Sequence, residues 1–281
     1  MKFNISHITE YSYSEKVFFE PHFLRFKPKT SPHLSIASFN LEVSPIPVGF
    51  SEQIDTENNH IRLYWFEDTH QSFRISVSTY VDVTPFNPFN FLIHPPEFLE
   101  LPFIYDDQTF QLLKPALTTT PMSKAMNEYL LENVRKSNNN TLEFLTKLTR
   151  QIHEDFVLGY RELGPPLNPE ETFKRKDGSC RDLAWMQIQL FRNMGIASRF
   201  VSGYFYLQAD KPLFELHAWV EAFLPGAGWI GFDPGHGIIT DCYHIPLASS
   251  AFPENTMPVT GTVRGSAEAT LKNDLNITPI T

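Results

Sequence analysis

Cys180 lies in the run Asp177-Gly178-Ser179-Cys180-Arg181-Asp182-Leu183-Ala184-Trp185. A small, Gly-containing turn ends at the cysteine, and a helical pattern begins there. Downstream come Leu216-His217-Ala218-Trp219 and Gly231-Phe232-Asp233-Pro234. A cysteine, a histidine and an aspartate, each at the edge of an expected element, supply a nucleophile, a base and a group to orient the base. The chemistry in reach is thiolate attack on a carbonyl carbon. Only the thiolate attacks, and a free cysteine has a pKa of about 8.5. At a helix N-terminus, unpaired N–H groups and the positive end of the macrodipole favour the thiolate. A nearby imidazolium favours it further. Gly178-Ser179 place Cys180 for the first effect, and His217 is the candidate for the second. Asp233 is the candidate for holding the imidazole in the right tautomer.

His217 and Asp233 fall on an expected hairpin, Leu216–Leu224 and Trp229–Asp233, joined through Pro225-Gly226-Ala227-Gly228. Side chains alternate between faces along a strand, so loop parity decides whether the two meet. A four-residue loop pairs Asp233 with Val220, on the face opposite His217. A three- or five-residue loop, or a bulge, turns Asp233 to the face of His217. The Gly-rich turn permits such a bulge, and an odd-length loop or bulge at 225–229 is expected.

Other candidates read as structural. Asp182 can cap its own helix with Arg181 paired to it, and Tyr160 and Tyr204 fit an aromatic core. Cys242 carries no catalytic context, and two cysteines are too few for a disulfide framework. Asp233-x-x-His236 and Asp241-x-x-His244 have ligand-like spacing, but such pairs on loops are common. No metal and no cofactor is expected.

The elements that must position these residues follow from patterning. Phe73–Val83 alternates strictly over eleven residues, the mark of a half-buried antiparallel strand. Weaker strands are expected at Phe3–His7, Phe18–Phe26, Phe39–Val43 and Ile61–Phe66, with a hairpin turn at Asn58-Asn59. Residues 84–121 are Pro-rich and read as a surface connector anchored by Phe86, Phe89, Phe91, Phe98 and Phe103. Helices follow. One is capped by Thr120 with Pro121 in its first turn, and one starts at Asn140 with Glu143 completing a capping box. A third, broadly buried, runs from Cys180 to Met194 and stops at Gly195. Short strands come next at Ala197–Val201, Tyr204–Gln208, Leu216–Leu224, Trp229–Phe232 and His244–Leu247. The fold class is α+β. A β-sandwich-like module at 1–115 precedes a core at 116–260, and a tail at 261–281 adds a strand or frays.

The 281 residues allow ample core. The net charge of −9 argues against a nucleic-acid or anionic-membrane surface. The N-terminus enters a strand pattern without the apolar stretch of a signal peptide. No apolar run approaches the roughly 20 residues that span a bilayer. The expected compartment is the cytoplasm.

The runs Gly178–Ala184, Gly195–Tyr204, Leu216–Trp219 and Pro225–Pro234 resemble the bacterial transglutaminase-like superfamily, whose members are often described as cysteine proteases. Ile8–Ser14 resembles the β-rich domain that precedes the core in that family. The resemblance covers roughly residues 1–260. It implies a papain-like transglutaminase core in which a central helix packs on an antiparallel sheet. It implies Cys180 as nucleophile, His217 as general base and acid, and Asp233 as orienting residue. One departure stands out: the family usually has Thr or Ser after the Asp-Pro pair, and here Gly235-His236-Gly237 follows. The expected reaction is hydrolysis of a peptide or protein amide through an acyl-enzyme. Transfer of the acyl group to an amine is the alternative, and a non-catalytic binding module on the same fold is the alternative of another class.

Overall fold

The computed structural model describes residues 1–161, 164–207 and 213–280. The chain opens with β1 (Lys2–Phe19), β2 (His22–Leu24), β3 (Leu34–Ser44), β4 (Gly49–Ile54), β5 (His60–Trp65) and β6 (Thr69–Val83). β1 pairs with β6 over nearly its whole length, with an irregularity between Ser12 and Val17, and β6 pairs with β3. β5 joins β2 to β4 in a second sheet. The β4–β5 hairpin turns at Asn58, whose φ is +61°. Phe19, Leu24, Phe26, Leu41, Tyr64, Phe66, Phe73 and Ile75 from both sheets share one core, as a sandwich requires. Phe3–His7 and the start of Phe18–Phe26 prove to be one long strand. Its middle carries Ser6, Ser12 and Ser14 on the exposed side, while Thr9 and Tyr13 are buried.

The connector lacks strands and crosses toward the next unit. Phe98 and Phe103 anchor it with Tyr105, rings 5.0 and 5.3 Å apart in edge contacts. The Tyr105 hydroxyl donates to the Phe223 carbonyl and accepts from the Ala197 N–H. Phe89 is not an anchor: it is half exposed. The connector also forms α1 (Asp107–Leu113), which the sequence pattern did not suggest. α2 (Lys124–Lys136) starts later than Thr120, because Ser123 caps it by accepting from the Met126 N–H. Thr120 instead donates to Gln189. α3 (Thr141–Asp155) is capped by Asn140 as expected, but the Glu143 carboxylate pairs with Lys147 and the capping box is half made.

β7 (Val157–Leu158), α4 (Pro169–Arg175) and β8 (Asp177–Gly178) lead to α5 (Cys180–Asn193). β7 and β8 pair in parallel, which fixes the approach to Cys180. α5 ends at Gly195, whose φ of +78° suits a residue without Cβ. The second sheet-bearing unit is completed by β9 (Ser198–Leu207), β10 (Leu213–Leu224), β11 (Gly228–Asp233), β12 (Ile238–Ile239) and β13 (His244–Ser250), in the order β12-β11-β10-β9-β13. Ala197–Val201 and Tyr204–Gln208 form the single strand β9, and Gln208 lies outside the described residues. Ser202-Gly203 does not break it. Gly203 is small because the Ile245 carbonyl and the Trp219 ring close on it; a Cβ there would stand 2.3 and 2.5 Å from them.

Leu183, Met186, Leu190 and Phe191 of α5 share a core with Ala218, Val220, Leu224 and Phe232 of the hairpin. A second core joins Tyr204, Tyr206, Ile245 and Leu247 to Phe3, Ile5, Val81 and Val83 of the first module. Polar rivets reinforce that junction. Buried Asn59 accepts from the Ser249 N–H and from Lys29, and donates to the Ser249 carbonyl. Burial pushes the Lys29 ammonium down to about 8. Finally β14 (Val259–Thr260), β15 (Val263–Arg264) and β16 (Ala269–Ile280) return to the first module. β16 lies antiparallel along β1 from Lys2 to Tyr13, so the tail adds a strand. No helix of the described residues is long and apolar enough to cross a membrane.

Candidate active site

Helix α5 begins at the cysteine because Asp182 closes its first turn. The Asp182 carboxylate accepts from the Ser179 N–H at 2.8 Å and from the Ser179 hydroxyl at 2.7 Å. It also accepts from the Leu167 N–H and from Arg161 at 2.5 Å. Burial would push this carboxyl up, but those donors outweigh it and hold it below the usual range. Asp182 is structural, as expected, but its cation is Arg161 and not Arg181. Arg181 donates to the Arg161 carbonyl instead. One carboxylate thus fixes the start of α5 and holds Arg161 and the Leu167 N–H beside it.

The β10–β11 hairpin brings in the other two groups. Leu224 pairs with Gly228 and Val220 with Phe232, leaving the three-residue loop Pro225-Gly226-Ala227. Gly226 and Gly228 both have positive φ, and Gly226 meets the connector where a Cβ would sit 2.4 Å from the Leu92 carbonyl. The odd loop places Asp233 opposite Trp219, on the face of His217. The two side chains meet there, with Asp233 Oδ2 2.8 Å from His217 Nε2.

Asp233 is a hub. Oδ2 also accepts from His236 Nδ1 at 2.8 Å and from His244 Nε2 at 3.3 Å. Oδ1 accepts the backbone N–H groups of Gly235 and His236. The Phe205 ring lies against all three imidazoles, with centroids 4.4 to 5.3 Å away. Burial opposes charge on His217, but Asp233 first, and then Cys180, overcome it and hold the imidazolium well above the ordinary histidine range. Burial would likewise raise Asp233, but His217, with the hydrogen bonds from His236 and His244, keeps it well below the carboxylate range.

The Cys180 thiol lies near enough to the His217 ring for its charge to favour the imidazolium. Nε2 is held by Asp233, and Nδ1 stands 2.8 Å from Glu215 Oε1 without a hydrogen-bond partner among the described residues. The structure therefore joins His217 to Asp233 directly and sets Cys180 within electrostatic reach of the ring. Cys180 is partly exposed, and both it and Cys242 are free thiols. Tyr204 is fully buried in the core, as expected, whereas Tyr160 is almost fully exposed.

Three neighbours were not assigned to the site from the sequence. His236 and His244 were seen only as Asp-x-x-His pairs. Glu215, whose Oε1 stands 2.8 Å from His217 Nδ1, had a readable signal: it lies two residues before His217 on one strand, hence on the same face. Gly235, the departure after Asp-Pro, lies against the imidazole. A Cβ there would stand 3.3 Å from His217 Cε1, so glycine leaves the ring unpressed.

The first module contributes to a groove of about 410 Å³ beside this cluster. Its walls include His33, Leu34 and Phe86 from that module and Trp219, Asp241 and His244 from the second unit. A cavity of about 480 Å³ lies within the first module itself, among Phe26, Phe39, Ile61 and Arg62.

Comparison with known proteins agrees along the chain. The family model of the bacterial transglutaminase-like N-terminal region matches residues 3–82. That of the transglutaminase-like superfamily matches residues 128–234. An uncharacterised protein of Mycobacterium tuberculosis is 23% identical over 296 residues, spanning 95% of this chain and 89% of its own length. The uncharacterised protein YebA of Bacillus subtilis is 33% identical over 88 residues, 26% of this chain and 12% of its own. A solved structure described as a "Putative Cysteine Protease from Cytophaga hutchinsonii" superposes with a TM-score of 0.72 at 19% identity, covering 100% of this chain and 92% of the other. That likeness is one of fold. With the two regions matched in order, the chain carries a segment like the bacterial transglutaminase-like N-terminal region followed by a segment like the transglutaminase-like superfamily core.

Proposed function

We propose that the protein is a thiol-dependent amide enzyme in which Cys180 is the nucleophile, His217 the proton carrier and Asp233 the orienting carboxylate. The observation that carries this reading is the His217 ring, held at Nε2 by Asp233 at 2.8 Å and raised by the charge of the nearby Cys180 at the first turn of α5. The Cys180 thiolate attacks the amide carbonyl carbon, and the backbone N–H of Cys180 helps hold the oxyanion. The His217 imidazolium protonates the leaving nitrogen as the C–N bond breaks, which leaves a thioester. Neutral His217 then takes a proton from water as its oxygen attacks the thioester. The C–S bond breaks, and the thiolate–imidazolium pair returns. An amine in place of water gives transfer instead of hydrolysis. Hydrolysis of a peptide or protein amide is the primary reading. Two free thiols suit a reducing compartment such as the cytoplasm.

The test is iodoacetamide alkylation of Cys180 across pH in chelator-treated protein, in wild type and His217→Ala. Amide turnover is then measured with Cys180→Ala as the blank. Fast alkylation below neutral pH that is lost in His217→Ala is the expected result. A profile like that of a free thiol, unmoved by the substitution, makes the protein a binding module on this fold.

A further inference from the structure

Asp233 Oδ2 accepts from Nε2 of His217 and from Nδ1 of His236, both at 2.8 Å. These contacts hold each ring by one nitrogen and leave the opposite one, His217 Nδ1 or His236 Nε2, turned from the carboxylate, where a cation would displace any proton it carries. Two imidazoles aligned by a carboxylate behind them are the usual outer support of a metal-binding histidine pair. Glu215 Oε1 stands 2.8 Å from His217 Nδ1, yet the two are not aligned as a hydrogen bond, and both atoms are buried. Buried polar atoms left in that condition are costly and call for a partner. One donor atom each from Glu215, His217 and His236 lies within 4.8 Å of the other two.

We propose that Glu215, His217 and His236 form a site for a borderline divalent cation, Zn²⁺ by donor type, whose binding takes the His217 imidazole away from Cys180. Two imidazole nitrogens and one carboxylate are a known zinc donor set with an open fourth position. Magnesium and calcium prefer all-oxygen sets. Zinc ligands stand about 2.0–2.2 Å from the metal, so small turns of the Glu215 side chain, a third exposed, close the set. Two carboxylates, Glu215 in contact and Asp233 behind, balance the dication. Phe205, packed on the His217 and His236 rings, keeps them in place. A cation on Nδ1 stops that nitrogen from carrying a proton, so occupancy idles the thiol. The metal site rests on geometry alone, and its inhibitory effect rests on the roles proposed above for Cys180 and His217.

The test is calorimetric titration of chelator-stripped full-length protein with Zn²⁺, with Co²⁺ as a visible-absorbing substitute. Wild type, Cys180→Ser, Glu215→Ala and His236→Ala are compared, with circular dichroism to check folding and Glu215→Gln held in reserve. One equivalent is expected to bind to wild type and to Cys180→Ser. Glu215→Ala and His236→Ala are expected to weaken binding by about tenfold or more. Iodoacetamide alkylation of wild-type Cys180 is expected to slow when Zn²⁺ is added. Absence of binding overturns the inference. So does binding that disappears in Cys180→Ser and survives in Glu215→Ala, since the metal then sits on the thiol alone. If zinc binds as expected while stripped Cys180 reacts no faster than a free thiol, the metal site stands and the enzymatic reading falls.

Discussion

Asp233→Asn is the most informative substitution. The wild-type carboxylate accepts five hydrogen bonds, three from imidazoles and two from backbone N–H groups. Asparagine keeps the shape but carries no charge, and it must turn an N–H₂ toward one of the two donor sets. Unit charges about 4 Å apart at an effective dielectric of about 20 interact by about 4 kcal/mol, and the substitution removes that attraction from the imidazolium. His217 is raised in wild type. The stability its proton contributes is therefore complete below about 6.5 and is lost as pH rises through the higher folded value. Asp233 is depressed, so its contribution is present above the ordinary carboxylate range and is lost as pH falls through the lower folded value. Wild type should hold a flat melting temperature between those limits, and Asp233→Asn should lose both arms. In metal-chelated buffer at pH 6, alkylation of Cys180 should fall by about tenfold or more, the rate equivalent of about 1.4 kcal/mol of the lost attraction. A folded variant that alkylates at the wild-type rate and keeps both arms refutes the claim that Asp233 sustains the imidazolium.

Other predictions concern what holds the site in place. Buried Arg192, pushed down to about 10 by burial, donates to the carbonyls of Thr118, Ser198 and Ala251. Arg192→Met leaves all three without it and should cost at least about 3 kcal/mol, read as a lower urea midpoint with an unchanged slope. Asn59→Ala removes the rivet to Ser249 and the acceptor of Lys29; a loss of about 2–4 kcal/mol in the same measurement is expected. Gly203→Ala drives a Cβ into the Ile245 carbonyl and the Trp219 ring. It should cost about 1–3 kcal/mol by overpacking and slow alkylation of Cys180, because Trp219 packs beside His217 with rings 6.4 Å apart.

The parts of the site that could be read in the sequence were those set by local rules. A Gly-Ser turn before a helical pattern located Cys180. Loop parity placed Asp233 on the face of His217, and the three-residue turn obeys it. β9 was read as two strands because glycine looks like a break when its neighbours are unseen. Gly203 is required by a carbonyl from β13 and an indole from β10, and neither adjoins it in the chain. Arg161 was missed for the same reason. It reaches Asp182 across 21 residues and a loop, and no periodicity encodes that meeting. Glu215 differs from both. Its relation to His217 is purely local, but a charged residue on a strand reads first as a solvated one.

Asp182 shows how structural and chemical roles merge in this core. Read as a cap, it explains where α5 starts. Because the helix starts at Cys180, the same hydrogen bonds decide where the thiol stands and aim the first-turn N–H groups. Because Asp182 also holds Arg161 and the Leu167 N–H, the loop over the helix end is tied to the same carboxylate. Loss of that carboxylate would release the helix end at Cys180 together with Arg161 and Leu167. The position of the Cys180 thiol is thus set by a carboxylate two residues further along the helix.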